Sequence, residues 1–134
     1  MLRPVVLIIE DDPIARFVFK KLIKRIELTA HEAINGQDAL NIIDKNKEIT
    51  HVFLDLNMPV MDGYGFLHFL NSAGNHSNLN IFITSITDES EFVSTTRKRN
   101  IQINNVKGYN KKPFDMAQLT KTLLKEDYIP IVGY

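Results

Sequence analysis

The chain is 134 residues long, enough for one domain that buries roughly two-thirds of its unfolded surface without a disulfide or metal staple. Its 16 basic and 16 acidic residues cancel, which excludes an overall field directed at nucleic acid, a membrane surface or an acidic substrate. Cysteine is absent, which excludes a disulfide framework, thiolate catalysis and a cysteine zinc site, and accords with a reducing, cytoplasmic setting.

The first apolar run, Val5 to Ile9, is far too short for a membrane span or a secretory signal and reads as a buried strand. It ends on Glu10, Asp11 and Asp12. Pro13 suits the first position of a helix, with Asp12 before it as the N-cap. Ile14, Phe17, Val18, Leu22 and Ile26 recur at helical spacing and are expected to pack on the sheet, with Arg16, Lys20, Lys21, Lys24 and Arg25 on the wetter side. Thr29 to Ile34 is a weaker strand, and Asn35-Gly36 turns the chain into a helix carrying Ala39, Leu40, Ile42 and Ile43. His51 to Asp55 is a strand whose continuous apolar character marks it as covered on both faces, and the turn residues Asn57, Pro59, Asp62 and Gly63 follow it.

From Tyr64 a strongly apolar helix carries Phe66, Leu67, Phe69 and Leu70, with Phe66 and Phe69 assigned to the core, and closes in the loop from Ser72 to Asn78. Ile81 to Ile83 is a further apolar strand that runs into the hydroxyls of Thr84, Ser85 and Thr87. Asp88 and Glu91 resemble a capping pair for a helix that has only Phe92 and Val93 as clear anchors, so it should be weakly held. Arg97, Lys98 and Arg99 read as a solvated helix end. Val106 to Asn110 is a short strand, Asp115 with Gln118 can cap a last helix through Met116, Leu119, Leu123 and Leu124, and the tail from Tyr128 to Tyr134 is apolar and irregular. With no repeat, low-complexity block or linker, a single domain over 1–134 is expected, its core from about 4 to 126 and its tail from 127 to 134.

Five strands alternating with five helices imply an α/β fold, a doubly wound parallel sheet with helices on both faces. Two classes of such sheet fit the length. In either, the carboxyl ends of the strands share one edge, which would gather Asp11 and Asp12, Asp55, Ser85 and Lys112. Carboxylates crowded there repel: two unit charges about 4 Å apart cost roughly 1 kcal/mol in water and about 4 at an effective dielectric near 20. Either one takes up a proton or a cation enters, and Mg²⁺ suits a few hard oxygen ligands while sharing its shell with phosphate. A structural acidic cluster would need arginine partners, and none is expected near these positions. Asp55 can then act as nucleophile toward a phosphoryl group, with Lys112 as point charge and Ser85 as hydroxyl donor. The histidines His31, His51, His68 and His76 show no ligand spacing and read as surface or packing residues, and Gly63 with Gly65 does not make a phosphate-binding glycine loop.

With IIEDD, LDLNMPVMDG, ITS and KKPF in this order and spacing, the chain resembles the receiver domain of two-component response regulators from Val5 to about Lys125. The resemblance implies a flavodoxin-like five-stranded sheet of order 2-1-3-4-5. It implies that Asp55 accepts the phosphoryl group and that Asp11 and Asp12 hold Mg²⁺, Asp12 as the direct ligand, with the Asn57 carbonyl completing the site. Ser85 matches the switch hydroxyl, Lys112 the family's lysine and Tyr109 the aromatic switch, for which an ordinary buried aromatic is the bland reading. The Lys112–Pro113 bond is expected to be cis.

Three features depart from the pattern. Ile86 is bulky where receivers carry a small residue and is expected to narrow access to Asp55, the Ser85 to Lys112 spacing enlarges the fourth crossover, and Thr84 rivals Ser85 if the register shifts by one. The expected function is a cytoplasmic stand-alone phosphoacceptor switch. Its donor would be a histidine kinase or phosphotransfer protein and its target another protein, with no nucleic acid or membrane partner and no enzymatic turnover beyond its own phosphorylation and dephosphorylation. The helix after Asp88, with Tyr109, is the expected bistable element. A phosphohydrolase is the enzymatic alternative, weakened because Asn57 stands where such an enzyme needs a second acid. A phosphate-independent interaction module is the other, favoured by Ile86 and the apolar tail residues Ile129, Ile131 and Val132.

Overall fold

The computed structural model describes residues 3–74, 76, 78–113 and 116–125. Strands and helices alternate as β1 (Val5–Ile9), α1 (Pro13–Arg25), β2 (Thr29–Ala33), α2 (Gly36–Lys45), β3 (His51–Leu54), α3 (Gly63–Ala73), β4 (Asn80–Ser85), α4 (Glu89–Lys98), β5 (Val106–Lys111) and α5 (Met116–Lys125). All strand pairs are parallel, as the alternation of elements implies, and the sheet order is β2-β1-β3-β4-β5, as the resemblance implies. The proposed cap at Asp115 and the apolar tail lie outside the described residues. Among the described residues no helix is long and apolar enough to cross a membrane.

Strand alternation sorts the core into two layers. Leu7, Ile9, Val52, Leu54, Ile81 and Ile83 face Ala39, Ile43, Phe66, Leu67, Leu70 and Phe92 of α2, α3 and α4. Val6, Ile8, Phe53 and Phe82 face Phe19, Ile23, Leu119 and Leu123 of α1 and α5. The helices start where the sequence can satisfy their free N–H groups. Asp12 accepts from Ile14 N at 3.0 Å with Pro13 following, Asn35 accepts from Asp38 N at 2.8 Å, and Asp62 accepts from Gly65 N at 2.9 Å. Asp88 flanks α4 without a side-chain cap bond, because its carboxylate pairs with Lys111 instead.

Two expectations about faces fail. On α1 the buried residues are Phe19 and Ile23, whereas Ile14, Phe17 and Val18 are more than half exposed. Arg16 and Lys20 decide the rotation: both reach Glu32 on β2, at 3.3 and 2.7 Å, so residues assigned to the wet side lie along the sheet. On α3 Phe66 is fully buried but Phe69 is exposed, since only Tyr64, Phe66, Leu67 and Leu70 of that helix turn toward the sheet and α4.

His51 is a packing residue at the opposite end of the sheet from the strand carboxyl ends. Its ring stacks on Phe82 at 6.0 Å, with Nδ1 2.7 Å from Thr50 Oγ1, and burial holds its pKa down at about 4. The unfolded chain takes up the proton near 6.5, so stability is lost as pH falls from that value toward 4. Chemical denaturation is expected to show a loss of about 1 to 2 kcal/mol between pH 7 and 5 that His51→Phe removes.

Candidate phosphoacceptor site

The strands end together, and their last backbone bonds set the site. Glu10 N donates to Ala33 O and Asp55 N to Ile9 O, at 3.0 and 3.1 Å, so both carboxylates extend from the sheet edge rather than from free loops. Lys112 N donates to Ser85 O at 2.7 Å, which brings the lysine to the same edge, and the Lys112–Pro113 peptide is cis. Lys112 Nζ lies 2.6 Å from Glu10 Oε1 and 3.7 Å from Asp55 Oδ2. One oxygen each from Glu10, Asp11 and Asp55 falls within 4.8 Å of the other two.

Asp12 is not in that cluster. Its exposed carboxylate turns back to cap α1, and Glu10, passed over in the sequence, stands beside Asp11 in its place. Pro13 at the first helical position already assigned Asp12 to the cap, and the cap occupies one of its two carboxylate oxygens, Oδ1. The absence of an arginine also needs correcting. Arg16 is one turn away, but its Nη1 donates to the carbonyls of Glu10 and Asp11, at 2.9 and 3.4 Å, and its Nε pairs with Glu32. Lys112 is left as the cation facing the buried carboxylates among the described ion pairs.

The electrostatics follow. Burial and then the neighbouring Glu10 push Asp55 up to about 7, against the pull of Lys112 and of the Asn57 N–H at 3.3 Å. Burial alone would raise Glu10, but its hydrogen bond to Lys112 and the lysine charge outweigh it and hold the carboxyl below its usual range. Burial disfavours the Lys112 ammonium, yet the contact with Glu10 and the charges around it raise its pKa. The crevice therefore carries more negative charge than one lysine neutralises, and its donors are all hard oxygens.

Above Asp55 the loops after β3 and β4 are joined by hydroxyl and amide groups. Asn57 Nδ2 donates to Ser85 Oγ at 3.2 Å and to Thr87 Oγ1 at 3.4 Å, and Thr87 N donates to Ser85 Oγ at 3.2 Å. Ser85 Oγ accepts twice, leaving its proton as the group it can offer to an incoming oxygen. Thr84, the rival, is also buried but lines a cavity beside α1. Tyr109 Oη donates to Thr87 O, and the ring packs on Phe92 of α4 at 5.4 Å, which itself packs on Tyr64 at 5.9 Å. Ile86 is 69% exposed and walls the same cavity as Thr84. Gly63 closes the β3–α3 loop onto the strand: its N–H donates to Leu56 O at 3.1 Å, and a Cβ there would sit 2.7 Å from Asp55 O and 2.8 Å from Leu56 Cα. Only glycine allows that approach.

Comparison with known proteins agrees with this geometry. The profile of a family described as response regulator receiver domain matches residues 6–124. The chain is 31% identical over 122 residues to hybrid signal transduction histidine kinase A of Dictyostelium discoideum, covering 89% of this chain but only 5% of that protein. In three dimensions it is similar to a response regulator receiver protein from Pseudomonas putida, with a TM-score of 0.79 at 23% identity, covering 95% of this chain and 99% of that one. It is also similar to a chain in the complex of the Saccharomyces cerevisiae histidine phosphotransfer signaling protein Ypd1 with the receiver domain of its downstream response regulator Ssk1. There the TM-score is 0.75 at 19% identity, covering 90% of this chain and 86% of the matched chain.

Proposed function

We propose, from the premise that this chain belongs to the response regulator receiver domain family, that it is a phosphoacceptor switch in which Asp55 takes a phosphoryl group from a phosphohistidine. The observation that carries the reading is a buried carboxylate, Asp55, placed 3.7 Å from one lysine and within 4.8 Å of two further carboxylates at a strand end. The bond from phosphorus to the donor imidazole nitrogen breaks as the bond to an Asp55 oxygen forms. The released electron pair returns to the imidazole, which takes a proton from water. Ser85 offers its hydroxyl proton to a phosphoryl oxygen and Lys112 its positive charge.

Glu10, Asp11 and Asp55 are the residues that would hold Mg²⁺, with the Asn57 carbonyl as the further ligand that the resemblance adds; surplus negative charge and all-oxygen donors fit that ion. When bound it would lower the charge repulsion met by an incoming phosphoryl group. The donor class, a histidine kinase or histidine phosphotransfer protein, is supported by the kinase relative and by the Ypd1 complex. The target is another protein, and the setting cytoplasmic.

Inverting a 1:99 equilibrium takes about 5.5 kcal/mol of differential binding, and one charge-assisted hydrogen bond supplies roughly 1.5 to 3. Ser85 alone is therefore insufficient, and Lys112 must contribute. Tyr109, which links Thr87 to Phe92, gives α4 a route to sense the change. A phosphohydrolase would need an acid at Asn57, whose amide instead bonds Ser85 and Thr87.

Incubation with acetyl phosphate tests the reading. Intact mass should show one added phosphoryl group with Mg²⁺ and none in EDTA. Asp11→Asn should cut labelling at least tenfold, while Asp12→Asn, which keeps an oxygen to cap α1, should label normally with little change in stability. No labelling of the wild-type chain by acetyl phosphate or by a phosphohistidine protein would favour the interaction module. Equal loss in the Asp11 and Asp12 variants would return Asp12 to the metal site.

A further inference from the structure

Arg16 and Lys20 stand one turn apart on the same face of α1, and both end on Glu32 of the edge strand β2. The carboxylate is divided between them: Oε1 lies 3.3 Å from Arg16 Nε, and Oε2 lies 2.7 Å from Lys20 Nζ. The hydrogen bond from Lys20 outweighs the burial of Glu32 and, with the charges of Lys20 and Arg16, holds its carboxyl below the usual range. An isolated surface pair of this kind would be worth little. This one continues inward, because Arg16 Nη1 donates to the carbonyls of Glu10 and Asp11, at 2.9 and 3.4 Å.

Those two carbonyls belong to the residues whose carboxylates cluster with Asp55. Glu10 is already held through its N–H, which donates to Ala33 O of β2 at 3.0 Å. Strand β2 thus fixes Glu10 twice, once through its backbone and once through Glu32 and Arg16. Asp11 comes after the strand and before the helix, and among the described hydrogen bonds Arg16 supplies the one that reaches its backbone. Glu32 has a second effect. An arginine one turn from three acids would pair with their carboxylates and occupy the oxygens that a cation needs. With Nε committed to Glu32, the guanidinium meets their carbonyls instead.

We propose that Arg16 is a positioning residue for the metal-binding acids: it clamps the backbone from which the Glu10 and Asp11 carboxylates extend, while Glu32 anchors it away from those carboxylates. The inference rests on Glu10, Asp11 and Asp55 being the residues that hold Mg²⁺. A guanidinium suits the task, because its planar fork serves Glu32 and two carbonyls at once, which a single ammonium on a flexible stem does not. Partners behind a metal's ligands are typically worth about 10- to 100-fold in affinity, and a clamp that acts through the backbone belongs at the low end of that range. The sign of the effect is diagnostic. As a bare charge beside a cation site Arg16 opposes Mg²⁺, so deleting it would tighten binding. As a clamp it favours Mg²⁺, so deleting it weakens binding.

Titration calorimetry with Mg²⁺ alone, in the absence of any phosphodonor, reads the effect. Arg16→Met should raise the Mg²⁺ Kd about tenfold. Arg16→Lys, which keeps the charge and loses the fork, should raise it as well. Lys20→Met removes the other cation on Glu32 and should move the Kd less than about twofold, since Lys20 contacts neither acid. Glu32→Gln should weaken Mg²⁺ binding in the wild-type background and add less than about twofold to Arg16→Met, because Glu32 acts through Arg16. Thermal melts in EDTA distinguish the fold from the site: a merely structural Arg16 would lower the Tm and leave the Kd of the folded protein unchanged. Unchanged or tighter Mg²⁺ binding in Arg16→Met, or equal weakening in Lys20→Met, would overturn the clamp while labelling of the wild type by acetyl phosphate keeps the phosphoacceptor reading. A wild-type chain that labels but binds no Mg²⁺ would overturn the clamp and the metal site together. A chain that shows the graded Mg²⁺ affinities yet takes no label from acetyl phosphate or a phosphohistidine protein would keep the clamp and lose the phosphoacceptor.

Discussion

Asp55→Asn should abolish labelling by acetyl phosphate and, in EDTA at pH 8, make the protein more stable than the wild type. The first effect follows from removing the nucleophile. The second follows from the crowding around it, since burial and Glu10 together raise the carboxyl from 3.8 to about 7. An acid whose folded pKa is raised adds full stability only below its unfolded value and loses that contribution as pH rises through its folded one. At pH 8 the ionised Asp55 is therefore a liability. At about 1.4 kcal/mol per pK unit the ceiling is roughly 4 kcal/mol, and an asparagine that still buries a polar group should recover about 2. The gap between variant and wild type should close toward pH 4, and saturating Mg²⁺ should narrow it at pH 8 by stabilising the wild type alone. A variant less stable than wild type in EDTA at pH 8 would refute the account of the site as a store of unbalanced charge.

The fold was legible because its signals are redundant. Val5 to Ile9, His51 to Leu54 and Ile81 to Ile83 are continuous apolar runs, and a strand buried on both faces can show no other pattern. Helix faces were less legible. On α1 a hydrophobic stripe at Ile14, Phe17 and Val18 competes with one at Ala15, Phe19 and Ile23, and periodicity alone does not say which meets the sheet. The tie is broken by Glu32, a residue of another strand that draws Arg16 and Lys20 inward. That information is tertiary.

The site shows the same division. Asp55, Ser85 and Lys112 could be placed because each ends a strand or follows one, and the parallel sheet delivers all such ends to one edge. The pair read from the sequence, Asp11 with Asp12, differs by one position from the acids that cluster with Asp55, because the three consecutive acids after Ile9 look alike in the sequence. Asp12 caps α1, and Glu10 and Asp11 are the acids whose oxygens lie within 4.8 Å of Asp55 and of each other. The Asn57 side chain was read as an absent acid. The bridge it makes to Ser85 and Thr87 spans two loops, and loop-to-loop contacts leave no periodic trace in a sequence.

Lys112→Met separates the two carboxylates from the cation that makes their closeness tolerable, and should destabilise the fold where Asp55→Asn stabilises it. Methionine fills much of the lysine stem's volume, so the packing loss is small and the electrostatic loss dominates. Removing one partner of a buried ion pair costs about 3 to 5 kcal/mol, and Lys112, 27% exposed, calls for a discount to about 2 at pH 8 in EDTA. The cost should shrink as pH falls below 7, because Asp55 then takes the proton that relieves its repulsion with Glu10. Labelling should slow about 10- to 100-fold, the range set by losing one charge-assisted contact of 1.5 to 3 kcal/mol. The double variant Asp55→Asn with Lys112→Met separates the two roles. If the lysine acts on stability through these carboxylates, removing Asp55 first should lower the cost of removing Lys112 by about 1 kcal/mol in a double-mutant cycle. Additive costs would confine the stabilising role of Lys112 to Glu10, leaving its contact with Asp55 for the phosphoryl step alone.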